Sequence, residues 1–352
     1  MLYKKLLLTS IKNINGERSI IAIYHLLTGK KSIQTLQDAH SYQLTAIYGI
    51  LPRLEERFFR ITVATLKREM LIKQVATDSF IITNKGKKLL NDRKDTYLQF
   101  FNGLNYHKTD ELFFNRLLLF IQMIVNLKKN NFSYIPIVDD AQITKWARGI
   151  YHQIKHNVDD TLLQLKGELE TICYELTSEE ANILIDRFTG YKKYGLSIHQ
   201  LSNRYNYSPI DIQLIIIRII HQMLTIIHQN KQQFVLLTKL LPSEKKKGFL
   251  TNSAKKTREL FKLGYDLEQI AHFRKLRLNT IQDHIVEIAL YEEDFPFEQF
   301  LSEQTIEEIF HVLLKKDTYK LKEIKNQVSE HITYFEIRLA LAKFSQEKEE
   351  VL

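Results

Sequence analysis

Arg274, Lys275 and Arg277 stand together in LEQIAHFRKLRLNTIQDHIVEIAL (267–290), followed by the polar row Asn279, Thr280, Gln282 and Asp283. Cationic heads with amides and a hydroxyl just beyond them form a donor set that can grip phosphates and reach base edges. Lys255, Lys256 and Arg258 precede this group. Between Leu241 and Thr280 ten Lys/Arg face four Asp/Glu, a net of +6, within a chain of +9 overall. Residues 281–352 carry a net of −8 and residues 1–240 the remaining +11. The polyanion-binding surface is therefore expected before residue 281, and the acidic last segment suits a protein contact or a solvated face. A second cationic group lies near the start: Arg60, Lys67 and Arg68, with Thr62 and Thr65 among them, then Lys85, Lys87, Lys88, Arg93 and Lys94. DNA contact, protein docking and a solvated face all remain open for it.

Residues that could carry covalent or metal chemistry do not assemble. LLTGKKS and TNKGKKL lack both the glycine five residues before the Gly-Lys pair and a Ser/Thr directly after the lysine, so neither is a nucleotide-phosphate loop. His152 and His156 stand four apart in a stretch that reads as helix, but Gln153 replaces the glutamate of the metalloprotease motif and no third ligand is evident. Cys173, on an apolar helix face in ETICYELT, reads as core. No Ser/His/Asp arrangement stands out. The expectation is a protein that is not an enzyme, with no cofactor and no metal. One cysteine also points to a reducing compartment. MLYKKLLLTS is too short in its apolar run for a signal core, and the Ile-rich stretch 212–227, containing Arg218 and His221, falls below the ~18 residues of a span. A cytoplasmic, nucleoid-associated protein without a membrane partner is expected.

A chain of 352 residues with 44% hydrophobic and 26% charged residues, but only 11 Gly and 5 Pro, implies an all-α protein of two or three domains. Over 1–95, helical periodicity in SIIAIYHLLTG, SIQTLQDAHSYQLTAIYGIL and LEERFFRITVATLKREML gives way to two short strands, LIKQVATDSFIIT, around a TDS turn. Three helices closed by a hairpin are the winged-helix order, and FIITNKGKKLL resembles the strand-then-helix ending of such domains. Residues 96–240 read as helical throughout. Polar residues, Pro242, Gly248 and a lysine run mark a basic linker at 241–253, leaving 254–352 as a last domain.

Two helix-turn-helix units fit the spacing. In the last domain Ala271 is the small residue where the helices meet, Ile281 and Ile285 follow ten and fourteen positions on, and Ile288 continues their face. Asn279 is expected as N-cap, with Thr280 and Gln282 in the first turn and Gln282, Asp283 and Val286 off the buried stripe. Lys275 occupies the turn position that glycine usually holds, which implies a different or strained backbone. In the middle, Ser202, Asn206, Ser208, Pro209, Ile212 and Ile216 fit the same template and faintly resemble region four of sigma factors. Its second helix is so apolar that packing outweighs DNA reading by Asp211, Gln213 and Arg218. TRELFKLGYDLEQIAHFRKLRLNTIQDHIVEIAL, with the later TIEEIFHVLLKKDTYKLKEIKNQVSEHITYFEIRLALA, resembles the helicase-associated helix-turn-helix domain of RecQ-type helicases and the stand-alone YpbB-type proteins. That resemblance implies DNA binding and a RecQ-like helicase as partner, in repair or recombination. A transcriptional regulator and a protein-only scaffold are the alternatives. The partner contact is expected in the acidic tail or the Ile-rich middle.

Overall fold

The computed structural model describes residues 1–91, 97–242 and 250–350. Arg93 and Lys94, and most of the expected linker with Lys245 to Lys247, lie outside them. The helices are α1 (Leu2–Ile14), α2 (Ile20–Thr28), α3 (Ile33–Ser41), α4 (Glu56–Arg68), α5 (Asn84–Asn91), α6 (Gly103–Tyr106), α7 (Asp110–Lys128), α8 (Ala141–Ile154), α9 (Val158–Tyr174) and α10 (Ser178–Asp186). They continue as α11 (Ile198–Tyr205), α12 (Pro209–Gln229), α13 (Val235–Leu240), α14 (Asn252–Lys262), α15 (Leu267–Arg274), α16 (Leu278–Ala289), α17 (Glu303–Lys316), α18 (Leu321–Lys325) and α19 (Tyr334–Glu350). Among the described residues one sheet occurs, the antiparallel pair β1 (Ile72–Ala76) and β2 (Ser79–Ile82), so the protein is all-α apart from a small wing.

Two compact units form, and they do not follow chain order. One comprises Met1–Leu7 with Leu90–Glu244; the other comprises Leu8–Leu89 with Lys245–Leu352. The first and last segments, read from the sequence as separate domains, share a unit.

The first unit is organised around α12. Ser208 caps it by accepting the Asp211 N–H, and Pro209 opens it where no amide partner is needed. The helix has 21 residues, longer than the apolar run read from the sequence, and by length and composition alone it could cross a membrane. Its apolar side chains instead pack against α6, α7, α10, α11 and α13. Two buried polar groups here are paired, as desolvation demands. Glu168 accepts the N–H groups of Leu236 and Leu237, capping α13. His221 accepts the Asn102 N–H through Nδ1 and lies 3.2 Å from Asp110 through Nε2.

In the second unit, α2, α3, α4 and the hairpin form the winged helix. The stretch SIQTLQDAHSYQLTAIYGIL is not one helix: α3 ends at Ser41 and a 3-10 turn covers Thr45–Ile47. Asp78, at φ +59°, turns the hairpin, with Ile72 opposite Ile82 and Gln74 opposite Phe80. Thr83 follows β2 and accepts the Gly86 N–H. A Cβ at Gly86 would collide with the Leu71 carbonyl oxygen, so glycine there lets α5 lie close on the hairpin's base.

α3 also packs on α16 and α19. Arg338 of α19 links the two segments: its Nε donates to Gln37 Oε1 (2.9 Å) and a terminal nitrogen meets Asp283 (2.5 Å). Glu17 accepts from the Tyr42 hydroxyl and the Tyr319 N–H, each at 2.9 Å.

Candidate nucleic-acid interface

α15 starts with a capping box in which Asp266 accepts the Gln269 N–H while Gln269 accepts that of Asp266. Ala271 on α15 and Ile281, Ile285 and Ile288 on α16, the residues whose spacing predicted the pair, are all buried where the two helices pack together, as is Ile270. Lys275 adopts the left-handed conformation (φ +53°, ψ 44°), which closes α15 by directing its N–H to Ala271 and His272. The Leu276 N–H then reaches the Ala271 carbonyl at 3.0 Å. The strain expected of a lysine at this turn is real, and such a backbone costs an L-residue about 1–2 kcal/mol.

α16 begins one residue after Arg277, which is its N-cap; Asn279 is not the cap but lies inside the first turn. No side chain caps this end, so amides of the first turn are left for an outside acceptor. Beyond that turn the helix is enclosed. His284, Ile285, Val286, Glu287, Ile288 and Ala289 are all buried, because α14, α15, α19 and α3 surround it. Val286, expected off the buried stripe, is in the core. Asp283 is held by Arg338. Base reading by the turn from Asn279 to Asp283 is thereby confined to its beginning: Asn279 is exposed, whereas Thr280, Gln282 and Asp283 are half-buried.

The cations divide sharply. Arg274 is an internal strut: it donates to the Ser253 carbonyl (2.8 Å), the Ser253 hydroxyl (3.0 Å) and the Thr257 hydroxyl, tying the end of α15 to the start of α14. The Thr257 hydroxyl also lies 2.9 Å from His284 Nδ1. Burial pushes the Arg274 pKa down, and burial together with Arg274 lowers that of His284. Arg258 pairs with Glu292. Arg60 is tied to Glu56 (2.7 Å) and faces Asp78, Lys67 donates to Gln74, and Lys85 donates to the Glu69 carbonyl. Thr62 and Thr65 turn their hydroxyls back to the carbonyls of Phe58 and Ile61. Of the cations singled out in the sequence, those without a hydrogen bond or ion pair among the described residues are Lys255, Lys256, Lys275 and Arg277 in the last segment, and Arg68, Lys87 and Lys88 by the wing. Lys256 stands one turn after Ser253 on α14, next to the strut that Arg274 makes.

Sequence reasoning missed the Ser253–Thr257–Arg274–His284 network and an exposed aromatic pair, Tyr265 and Phe273. A signal for the network was available: Ser253 and Thr257 are one helical turn apart and therefore share a face.

The middle helix-turn-helix has the expected local geometry. Asn206 is left-handed (φ +57°, ψ 39°), and the Ser202 hydroxyl donates to the Tyr207 carbonyl. Two of its polar side chains are engaged internally: Asp211 accepts the Tyr3 N–H (2.8 Å), and Arg218 pairs with Glu180 (2.6 Å). Ile212, Ile215, Ile216 and Ile219 are buried. His152 and His156 do not share a helix face, because α8 ends at Ile154. Burial, with Glu170 nearby, raises the Cys173 thiol pKa, which leaves less of the reactive thiolate.

Comparison with known proteins places these features. No solved structure matches the chain. Over 345 residues it is 26% identical to Protein YpbB of Bacillus subtilis (strain 168), covering 97% of each chain. Residues 253–341 match the family described as "Helix-turn-helix domain". The chain is thus similar to a YpbB-type protein along nearly its whole length and carries a helix-turn-helix domain, which points to DNA binding and a non-catalytic role.

Proposed function

We propose that this chain is a DNA-binding accessory protein that supplies its helix-turn-helix domain, in trans, to a RecQ-like helicase during repair or recombination at the nucleoid. The observation that carries the DNA part is the outward group Lys275, Arg277 and the uncapped first turn of α16, with Lys256 on α14 one turn from the Ser253 that Arg274 holds. Such a surface neutralises phosphates. The burial of α16 beyond its first turn leaves little to read base edges, which favours recognition of DNA form over sequence and sets the regulator reading aside. The helicase part is supported by the resemblance of 254–343 to helicase-associated domains.

One observation favours an additional protein contact on the winged helix. Phe58 and Ile61 of α4, Met70 and Val75 are exposed large apolar side chains around Arg60 and Lys67. With two of the cations there already engaged, this face suits a partner protein at least as well as phosphate.

The test measures affinity for a fork, a four-way junction and a duplex of unrelated sequences, with and without a purified RecQ-type helicase. The proposal expects similar affinity for unrelated duplexes, a preference for branched DNA, and a joint complex with the helicase. A gain of about 4–10 kcal/mol at one sequence would instead identify a regulator.

A further inference from the structure

Phe273 is 70% exposed at the end of α15, and Tyr265, 42% exposed, stacks behind it with ring centroids 6.5 Å apart and planes 29° apart. An exposed phenylalanine contributes little to the core and leaves apolar surface in water. Its neighbours are the free cations. Along the chain, Lys275 and Arg277 lie at most about 7 and 14 Å from it between Cα atoms, and Leu278, 37% exposed, follows them. A flat apolar ring beside unpaired cations is the composition that holds a nucleobase while its phosphates are gripped.

The charge pattern also favours one direction of approach. Tyr265 also lines a cleft of about 850 Å³ together with Arg258, Lys262, Asp266, Glu292, Glu293 and Asp294, in which Arg258 and Lys262 pair with Glu292 and the lining stays net negative. The excess of carboxylate over cation disfavours a polyanion in the cleft, and Glu268 does the same along the start of α15. A strand is therefore admitted from the side of Lys275 and Arg277, onto the outward face of Phe273.

We infer that Phe273, backed by Tyr265, is a stacking platform for an unpaired base next to a DNA branch, while Lys275 and Arg277 hold the adjoining phosphates. This rests on the DNA-binding function proposed above and names the feature of branched DNA that is recognised. Bases in an intact duplex are stacked on one another and offer no face to the ring; unpaired bases do.

The experiment uses the full-length chain, a fork with 2-aminopurine at the first unpaired position, and the matching closed duplex. Stacking on an aromatic ring quenches 2-aminopurine, so the unaltered chain is expected to quench it and to bind the fork more tightly than the duplex. Phe273→Ala should abolish the quench and lower the fork-to-duplex affinity ratio about tenfold, while Phe273→Trp retains both. Thermal melting checks that each variant is folded. Lys275→Ala with Arg277→Ala should weaken fork and duplex alike. Duplex binding that depends on these two cations, with a fork ratio and quench indifferent to Phe273→Ala, overturns the platform and leaves the DNA-binding reading standing. Failure of the unaltered chain to bind either DNA overturns both.

Discussion

Arg274 and Arg277 stand three residues apart, and the structure assigns them opposite roles. Arg274→Ala deletes a guanidinium that donates to the Ser253 carbonyl, the Ser253 hydroxyl and the Thr257 hydroxyl. Hydrogen bonds from a charged donor contribute about 1.5–3 kcal/mol each when taken singly. These three share one side chain that is only partly buried and are not additive, so a loss of about 2–4 kcal/mol is expected. For a unit of this size that corresponds to a fall in melting temperature of about 5–12 °C. Arg277, exposed and without an internal partner among the described residues, should give Arg277→Ala a melting temperature close to that of the unaltered chain. The assay pairs thermal unfolding with duplex binding over a series of salt concentrations. Arg274→Ala should melt early yet keep the unaltered salt slope under conditions where it is folded. If Arg274→Ala melts normally but flattens the salt dependence, its guanidinium meets phosphate and the strut is refuted.

Further outcomes follow from the same site. Burial and Arg274 hold the His284 pKa below its ordinary 6.5, with Asp283 opposing and Thr257 hydrogen-bonded to the ring. The unfolded chain then binds a proton more readily than the folded one, so this stability is complete above about pH 6.5 and is lost as pH falls through that value towards the folded-state pKa. His284→Asn should shrink the difference between melting temperatures at pH 8 and pH 5.5; an unchanged difference contradicts the role of His284. Lys275→Gly relieves a left-handed lysine and should stabilise by up to about 1 kcal/mol while reducing the DNA salt slope, a separation of stability from binding that Lys275→Ala should not show. Gly86→Ala places a methyl against the Leu71 carbonyl and should destabilise the winged helix by about 1–3 kcal/mol, read as a lower denaturant midpoint; a neutral result would mean that α5 shifts freely.

Legibility from sequence followed the range of the interactions. The turn between α15 and α16, the hairpin around Asp78 and the cap at Ser208 depend on neighbours within a few residues, and their periodicity and turn chemistry exposed them. The start of α16 was misplaced because Asn279 is the better N-cap by residue type, whereas the chain starts the helix at the uncapped Arg277. Val286 was misread because what buries it comes from α3 and α19, distant in sequence. Arg274 looked like a phosphate ligand because its partners are a carbonyl and two hydroxyls rather than a carboxylate, so no charge pattern betrayed them. For the same reason the joining of the first and last segments was invisible: Gln37, Arg338 and Asp283 acquire meaning only once folding brings them together.

The most direct test of the DNA-binding surface is the salt dependence of duplex binding by the intact chain and by Lys275→Ala with Arg277→Ala. If both side chains neutralise phosphates, the log-log slope should fall by about 2 with melting temperature unchanged. A slope identical to that of the unaltered chain would show that DNA, if bound, is held elsewhere, and the account of the α15–α16 turn would be wrong.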